Sequence, residues 1–333
     1  MTTLIINQEE VRRLLKMGEC IDLMEQTLAT LARGDAVQPL RTATWMPDRK
    51  GLLGTMPGFL GRPRTLGIKV VTVFPGNHGT ELDAHQGAVL LFDVSNGCLL
   101  AIVDASEITS IRTAAVSAAA TRCLAREDAS TLAILGSGTQ ARTHLEAIRL
   151  VRDLRQARVW SRSHQHARRF AARESAGLHV QAVPTAREAV EGADIICTVT
   201  ASREPILCGE WISPGAHINA VGACLASMRE LDGQAVARSR LFVDRRESAL
   251  NEAGDFLLAK EEGLLGDEHI LGELGEVLLG QVEGRRDPNE ITLFESQGLA
   301  VEDLAAAGRV HQRAVQEKAG TTVTIGEKRH ATA

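Results

Sequence analysis

Residues 131–148 read TLAILGSGTQARTHLEAI: an apolar strand, then Gly136-x-Gly138-x-x-Ala141, then a stretch of helical character. In that setting the first glycine makes a tight turn, and the second lets backbone N–H groups approach a pyrophosphate at the helix N-terminus. An ordinary glycine-rich strand–helix turn has the same letters, so the surroundings decide. Downstream, strand ARVWS (157–161) leads to a helix at 164–176, and strand HVQAV (179–183) to a helix at 185–192. DIICTVT (194–200), HINAVG (217–222) and RLFVD (240–244) follow at similar intervals, then a late strand ITLFES (291–296) and a helix from about 300 to 319. Strands alternating with helices predict a parallel, doubly wound sheet. The expectation is an α/β chain with a Rossmann dinucleotide-binding domain.

The end of the second strand bears on which dinucleotide. A carboxylate there would hold the ribose 2′-hydroxyl of NAD(H), but the sequence reads Val159-Trp160-Ser161-Arg162-Ser163. Two hydroxyls and a guanidinium suit a 2′-phosphate, which arginine pairs with through parallel charge-assisted bonds. NADP(H) is therefore favoured over NAD(H); the competing reading is that Arg162 is a solvated loop residue.

Upstream the signals change. Residues 7–34 read as two helices, opened by a capping box at Asn7 and Glu10 and closed by Gly34. From 40 to 104 come short apolar runs, RTATW, GLLGTM, LGIKVVTVF, GAVLLFDV and CLLAIVD. Ser95-Asn96-Gly97 makes a hairpin of the last two, which requires an antiparallel pair. An alanine-rich helix is expected from about 107 to 126, capped by Ser106. A mostly antiparallel α+β part thus precedes the nucleotide-binding part, with the boundary near 123–130.

Composition sets limits on partners. With 37 basic against 42 acidic residues, net charge −5 and no basic block, neither nucleic acid nor an anionic membrane is an expected partner. No apolar run approaches the ~20 residues of a membrane span, and MTTLIINQEEVRRLLK lacks the pattern of a signal peptide, so a cytoplasmic protein is expected. Six scattered cysteines without ligand spacing fit reduced thiols, with neither a disulfide framework nor a metal site. The chain contains no tyrosine, which removes every mechanism in which a phenol moves a proton.

Another acid is then needed, and Lys69 interrupts LGIKVVTVF, a run otherwise apolar except for Thr72. A lysine on a strand ordinarily snorkels from an edge; facing a closed pocket instead, its pKa falls and it becomes a proton donor. Arg112 in an Ala/Ile/Thr helix and Arg41 after Pro39 are unremarkable singly.

Several stretches carry a resemblance: KVVTVFPGNHGTELDAHQGAVLLFDVSNG, ITSIRTAAVSAAATRCLA, LGSGTQARTHLEAI, HINAVGACLASMREL, and GELGEVLLG with ITLFESQGLAVEDL. In this order, over roughly residues 5–320, they resemble the ornithine cyclodeaminase/mu-crystallin family. The resemblance implies a homodimer in which residues 1–125 and 305–333 form a substrate-binding and dimerisation domain beside a Rossmann domain over 126–304. It implies that Arg41 and Arg112 hold a substrate carboxylate, with Lys69 beside the reacting nitrogen or carboxylate; the candidate catalytic acid is then Lys69 or an ordered water near it. Arg112, Thr113, Thr139 and Gln140 match cofactor-contacting positions; Thr198, Thr200, Val221 and Gly222 would lie near the nicotinamide and its ribose, and Ser296 would add a contact from the C-terminal side.

The departures narrow the reaction. Cyclodeaminases of this family carry an aspartate in the glycine-rich segment after the fifth strand, where this chain has Cys224. A neutral thiol neither anchors an ammonium group nor acts as a carboxylate base. Ser161 in place of an acidic residue is likewise similar to the reductase branch. Ala84 stands where relatives show a small hydroxyl, beside His85, which is either a proton relay or structural; Glu295 stands where lysine is frequent. The expected function is NADPH-dependent reduction of an α-imino acid, a cyclic ketimine or the imine of an α-keto acid and an amine, to an amino acid. The alternatives are an ornithine or lysine cyclodeaminase, an alanine dehydrogenase, or a non-catalytic NADPH-dependent ligand-binding protein.

Overall fold

The computed structural model describes residues 2–77 and 80–326; residues 327–333, the end of the segment expected to complete the first domain, lie outside them. The chain opens with β1 (Thr2–Ile6), α1 (Gln8–Leu14) and α2 (Met17–Ala32). Asn7 and Glu10 form the expected capping box, the Glu10 N–H donating to Asn7 Oδ1 at 3.0 Å and the Asn7 N–H to Glu10 Oε2 at 2.9 Å. Helix α2 buries Met17, Cys20, Ile21, Met24 and Leu28, a stripe at helical spacing. Next come β2 (Ala36–Val37), β3 (Thr42–Trp45), β4 (Leu52–Gly61), β5 (Arg64–Val73), β6 (His85–Phe92), β7 (Leu99–Asp104) and α3 (Ala105–Leu124). The hairpin between β6 and β7 is antiparallel, and its turn places Gly97 at φ 75°. Helix α3 starts earlier than expected. Asp104 rather than Ser106 serves its first turn, Oδ1 accepting the Glu107 N–H at 2.8 Å, while Ser106 Oγ donates to the His85 carbonyl at 2.9 Å.

The alternating region gives β8 (Thr131–Leu135), α4 (Thr139–Arg149), β9 (Gln156–Trp160), α5 (His164–Glu174), β10 (His179–Ala182), α6 (Ala186–Val190) and β11 (Ile195–Thr198). It continues with β12 (His217–Ala220), α7 (Gly233–Ala237), β13 (Arg240–Val243), α8 (Arg246–Glu252), α9 (Gly254–Glu261), β14 (Ile270–Glu273), α10 (Leu274–Leu278) and β15 (Thr292–Glu295). Helix α11 (Ala300–Glu317) and β16 (Thr321–Thr324) complete the described chain.

Two compact units result, one of the described residues up to Arg112 and from Leu299 onward, the other Thr113–Gly298. In the first, a sheet runs β16-β1-β7-β6-β5-β4-β2, with β3 also on β4; β1 and β7 are parallel and the other pairs antiparallel. Helix α11 lies against this sheet where two glycines face each other across strands, Gly58 of β4 and Gly67 of β5. A Cβ on Gly67 would sit 2.4 Å from the Leu90 carbonyl oxygen and 2.6 Å from Leu304 of α11; one on Gly58 would sit 3.3 Å from Ala300. Backbone cannot yield there as a side chain can. The variant Gly67→Ala is therefore expected to destabilise the fold by about 1–3 kcal/mol, read as a lowered urea midpoint at unchanged slope; an unchanged midpoint would contradict this packing.

In the second unit all strand pairs are parallel, in the order β10-β9-β8-β11-β12-β15-β13-β14. Its core joins Leu135, Ile196, Ile218, Leu241, Val243 and Leu293 of the strands with Ala189, Val236, Ala249 and Phe256 of the helices. This is the doubly wound Rossmann-type sheet that the alternation predicts. The last strand, β15, is inserted between β12 and β13. No helix of the described residues is long and apolar enough to cross a membrane.

Candidate active site

Lys69 is not an edge lysine. Strand β5 lies between β4 and β6, where Lys69 stands opposite Met56 and Val89, and the residue is 4% exposed. Its strand alternates, so Lys69 shares with Gly67 the face that α11 covers. The glycine pair lets α11 come close, and the first turn of that helix then presents Glu302 and Asp303 to the cations. Lys69 Nζ lies 3.1 Å from each Asp303 carboxylate oxygen. Arg112, 5% exposed on α3, donates from Nε to Asp303 Oδ1 at 2.8 Å and from Nη1 to Glu302 Oε2 at 2.7 Å. Both carboxylates are buried. Glu302 also accepts the Leu299 N–H at 3.1 Å, tying the start of α11 to the same charge set.

Desolvation dominates the electrostatics of Lys69. Burial pushes its pKa down to about 8; Asp303 opposes this, and the positive charges of Arg112 and Arg41 add to it. Arg41, just before β3, is half-buried, and its charge reaches Lys69. Structure thus brings Lys69, Arg112 and Arg41 into one electrostatic neighbourhood. Trp45 is 42% exposed, with Arg49 stacked over its ring.

The second unit gathers the other predicted residues, Thr113 apart, at the C-terminal ends of its parallel strands. Gly136 adopts φ 130°, and a Cβ there would meet the Val199 carbonyl oxygen at 2.8 Å, so the turn admits no side chain. Gly138 is the N-cap of α4; no side chain caps that helix, and a Cβ on Gly138 would find nothing within 4 Å. An exposed, uncapped helix start with open space above it fits a pyrophosphate. Thr139 is exposed there, Gln140 half-buried and Ala141 buried. Ser137 Oγ donates to Ser161 Oγ at 3.0 Å, linking the glycine turn to the end of β9, with Arg162 exposed and Ser163 half-buried beyond it. Thr198 ends β11, and Val221 and Gly222 follow β12. Ser296, after β15, is 2% exposed, and its hydroxyl has no hydrogen-bond partner among the described residues. A buried orphan hydroxyl at this rim fits a polar group of a bound cofactor. Thr113, next to Arg112 on α3, is buried.

Sequence reasoning missed the acidic residues. In EDL (302–304) the two carboxylates resemble ordinary residues favoured at a helix start. Glu230 is also fully buried. It accepts the Thr200 N–H at 2.5 Å, the Thr200 hydroxyl at 2.6 Å and the Gly222 N–H at 2.7 Å, clamping the loops that follow β11 and β12. Asp255 Oδ1 in turn accepts the N–H groups of Glu230 and Leu231, at 2.7 and 2.8 Å. Burial, then the Glu230 charge, pushes Asp255 up to about 7. Glu295 is raised well above the usual carboxylate range by burial, then by Asp255. Cys224 Sγ donates to the Val221 carbonyl at 3.1 Å.

A glycine turn on a doubly wound parallel sheet in one unit, with buried lysine and arginine in the other, defines a Rossmann-type protein with a second α+β unit. The chain belongs to the ornithine cyclodeaminase/mu-crystallin family, whose sequence pattern matches residues 1–318. It is 41% identical over 310 residues to the ketimine reductase mu-crystallin of Mus musculus, covering 92% of this chain and 96% of that one. Among solved structures, it is similar to the Δ1-pyrroline-2-carboxylate reductase of Thermococcus litoralis in complex with NADH and L-proline. There the TM-score is 0.94 and the identity 38%, over 96% of this chain and 100% of that one. An archaeal alanine dehydrogenase dimer with bound NAD gives a TM-score of 0.93 and 34% identity, over 98% of this chain and 100% of that one.

Proposed function

We propose that this protein is a pyridine-nucleotide-dependent reductase of α-imino acids, that it prefers NADPH to NADH, and that it acts as a cytoplasmic homodimer. One observation carries the reading: a lysine ammonium buried in an apolar strand and held beside a buried guanidinium, in a chain without tyrosine. The similarity to the ketimine and pyrroline-2-carboxylate reductases supports it, and the dimeric alanine dehydrogenase supports the homodimer.

Arg112 and Arg41 bind the substrate carboxylate and fix the position of the carbon next to it. Lys69 donates a proton to the imine nitrogen, which makes the imine carbon more electrophilic. The nicotinamide, when bound, supplies the hydride that becomes the new C–H bond. Gly136, Gly138, Thr139, Gln140 and Ala141 hold the pyrophosphate. Ser161, Arg162 and Ser163 take the 2′-phosphate. Arg112, Thr113, Thr198, Thr200, Val221, Gly222 and Ser296 serve the nicotinamide end. Cys224 supports reduction over cyclodeamination, because a neutral thiol donating to a backbone carbonyl offers no carboxylate to a second amino group.

The decisive experiment follows NADPH and NADH oxidation with piperideine-2-carboxylate, pyrroline-2-carboxylate, and pyruvate or glyoxylate plus methylamine. Ornithine with ammonia detection and alanine with NAD run alongside. Oxidation of NADPH on an imine is expected. Ammonia release from ornithine without net cofactor change would establish a cyclodeaminase instead, and steady NAD reduction by alanine a dehydrogenase. Inertness throughout with cofactor still bound would establish a binding protein.

Cofactor preference has its own test. In the variant Ser161→Asp a carboxylate at the end of β9 repels the 2′-phosphate and accepts the 2′-hydroxyl. The NADPH-to-NADH ratio of kcat/KM is expected to fall about 100-fold. An unchanged ratio would remove the 2′-phosphate from this loop.

A further inference from the structure

In the first unit the buried cations Lys69 and Arg112 lie against the buried carboxylates of Glu302 and Asp303. Asp303 bonds both cations. Its two oxygens engage Lys69 Nζ symmetrically at 3.1 Å, and Oδ1 also accepts from Arg112 Nε at 2.8 Å. We propose that Asp303 is a positioning residue for imine reduction: it aims the Lys69 ammonium and keeps it protonated at neutral pH.

This proposal rests on the reading of function above. The neighbours of Lys69 make Asp303 necessary. On β4 and β6 it faces the apolar Met56 and Val89. From α3 comes Arg112 and from the segment before β3 comes Arg41, and both positive charges favour the neutral amine. Helix α2 contributes Cys20, a buried thiol pushed up by desolvation and placed near Arg112 and Glu302. Helix α11 contributes Glu302, which bonds Arg112, and Asp303, whose carboxylate supports the ammonium form of Lys69. An ammonium has three N–H groups, so gripping one side with two carboxylate oxygens also sets the direction of the third. In the chemical step a Lys69 N–H bond breaks, its electron pair stays on Nζ, and the imine lone pair forms the new N–H bond. The hydride forms the C–H bond, Lys69 regains a proton from water, and Asp303 changes no bond.

Asp303→Asn tests this, because asparagine keeps the shape and an acceptor for Arg112 but not the charge. Only six lysines occur in the chain, so lysine labelled with 13C at Cε, with Lys69 assigned through Lys69→Met, reports its titration without turnover. The Lys69 midpoint is expected to drop by about one unit or more in Asp303→Asn. The basic limb of the kcat–pH profile is expected to move with it, so that kcat at pH 8 falls at least about fivefold while KM for the imine changes little. Asp303→Glu is expected to restore most of the shift. Glu302→Gln, acting on Arg112, is expected to raise KM and leave the limb in place. An unchanged Lys69 midpoint in folded, cofactor-binding Asp303→Asn would overturn the proposal. Wild-type protein inert on every imine would instead overturn the functional reading, leaving the lysine titration to decide the role of Asp303 in holding Lys69 protonated.

Discussion

Lys69→Met is expected to lower kcat for imine reduction by about 10²–10⁴-fold, the range for losing a positioned general acid. Methionine keeps most of the buried volume, so packing against Met56 and Val89 survives. Apart from Arg112, the proposed cofactor residues belong to the other unit, so NADPH affinity measured by fluorescence should stay within about twofold of wild type. The pH profile supplies the sign. Burial lowers the Lys69 pKa to about 8. Imine reduction needs the protonated lysine, so kcat is expected to fall as pH rises through about 8. Oxidation of the amino acid product needs the neutral amine and should climb over the same window. Retention of full kcat in Lys69→Met, or equal losses in kcat and NADPH binding, would remove Lys69 from the chemistry.

Arg112→Ala is expected to have the second large effect, and not only on substrate. The guanidinium donates to Glu302 and shares Asp303 with Lys69, and both carboxylates are fully buried. Removing one partner of a buried ion set leaves charge without compensation, which costs about 3–5 kcal/mol. A lower urea midpoint should therefore accompany a raised KM for the imine. The two losses can be separated. Arg112→Met combined with Glu302→Leu removes cation and anion together, and such replacements recover most of the stability. Substrate affinity should stay low in that double variant. A wild-type midpoint in Arg112→Ala would show that the cluster does not carry its charge in a dry environment.

Local signals were legible in the sequence where the chain satisfies its own backbone. The capping box at Asn7 and Glu10, the Gly97 turn and the strand–glycine–helix unit at 131–148 each involve residues a few positions apart. Strands β1 and β16 escaped notice because they are short and their pairing partners are remote, Thr2 standing opposite Thr324. Strand β15 was legible as a strand, but its place between β12 and β13 depends on how crossovers pack. The same division runs through the site. Lysine in an apolar run is a visible anomaly, whereas Glu302 and Asp303 satisfy the usual rule for a helix start and so concealed their burial. Glu230 was hidden likewise, since a glutamate in SMREL gives no sign that it will hold the backbone of Thr200 and Gly222.

The contact between Lys69 and Asp303 joins residues 234 positions apart, with all of Thr113–Gly298 between them. During synthesis, then, both cations leave the ribosome long before their counter-ions exist. The second unit is complete in sequence while the first still lacks the helix that will cover β5. Until α11 is made, Lys69 and Arg112 must remain hydrated, which keeps that face of the sheet open to water. Charge pairing of Lys69 and Arg112 thus waits for the C-terminal helix, and a chain stopped short of Leu299 would lack both of their carboxylate partners.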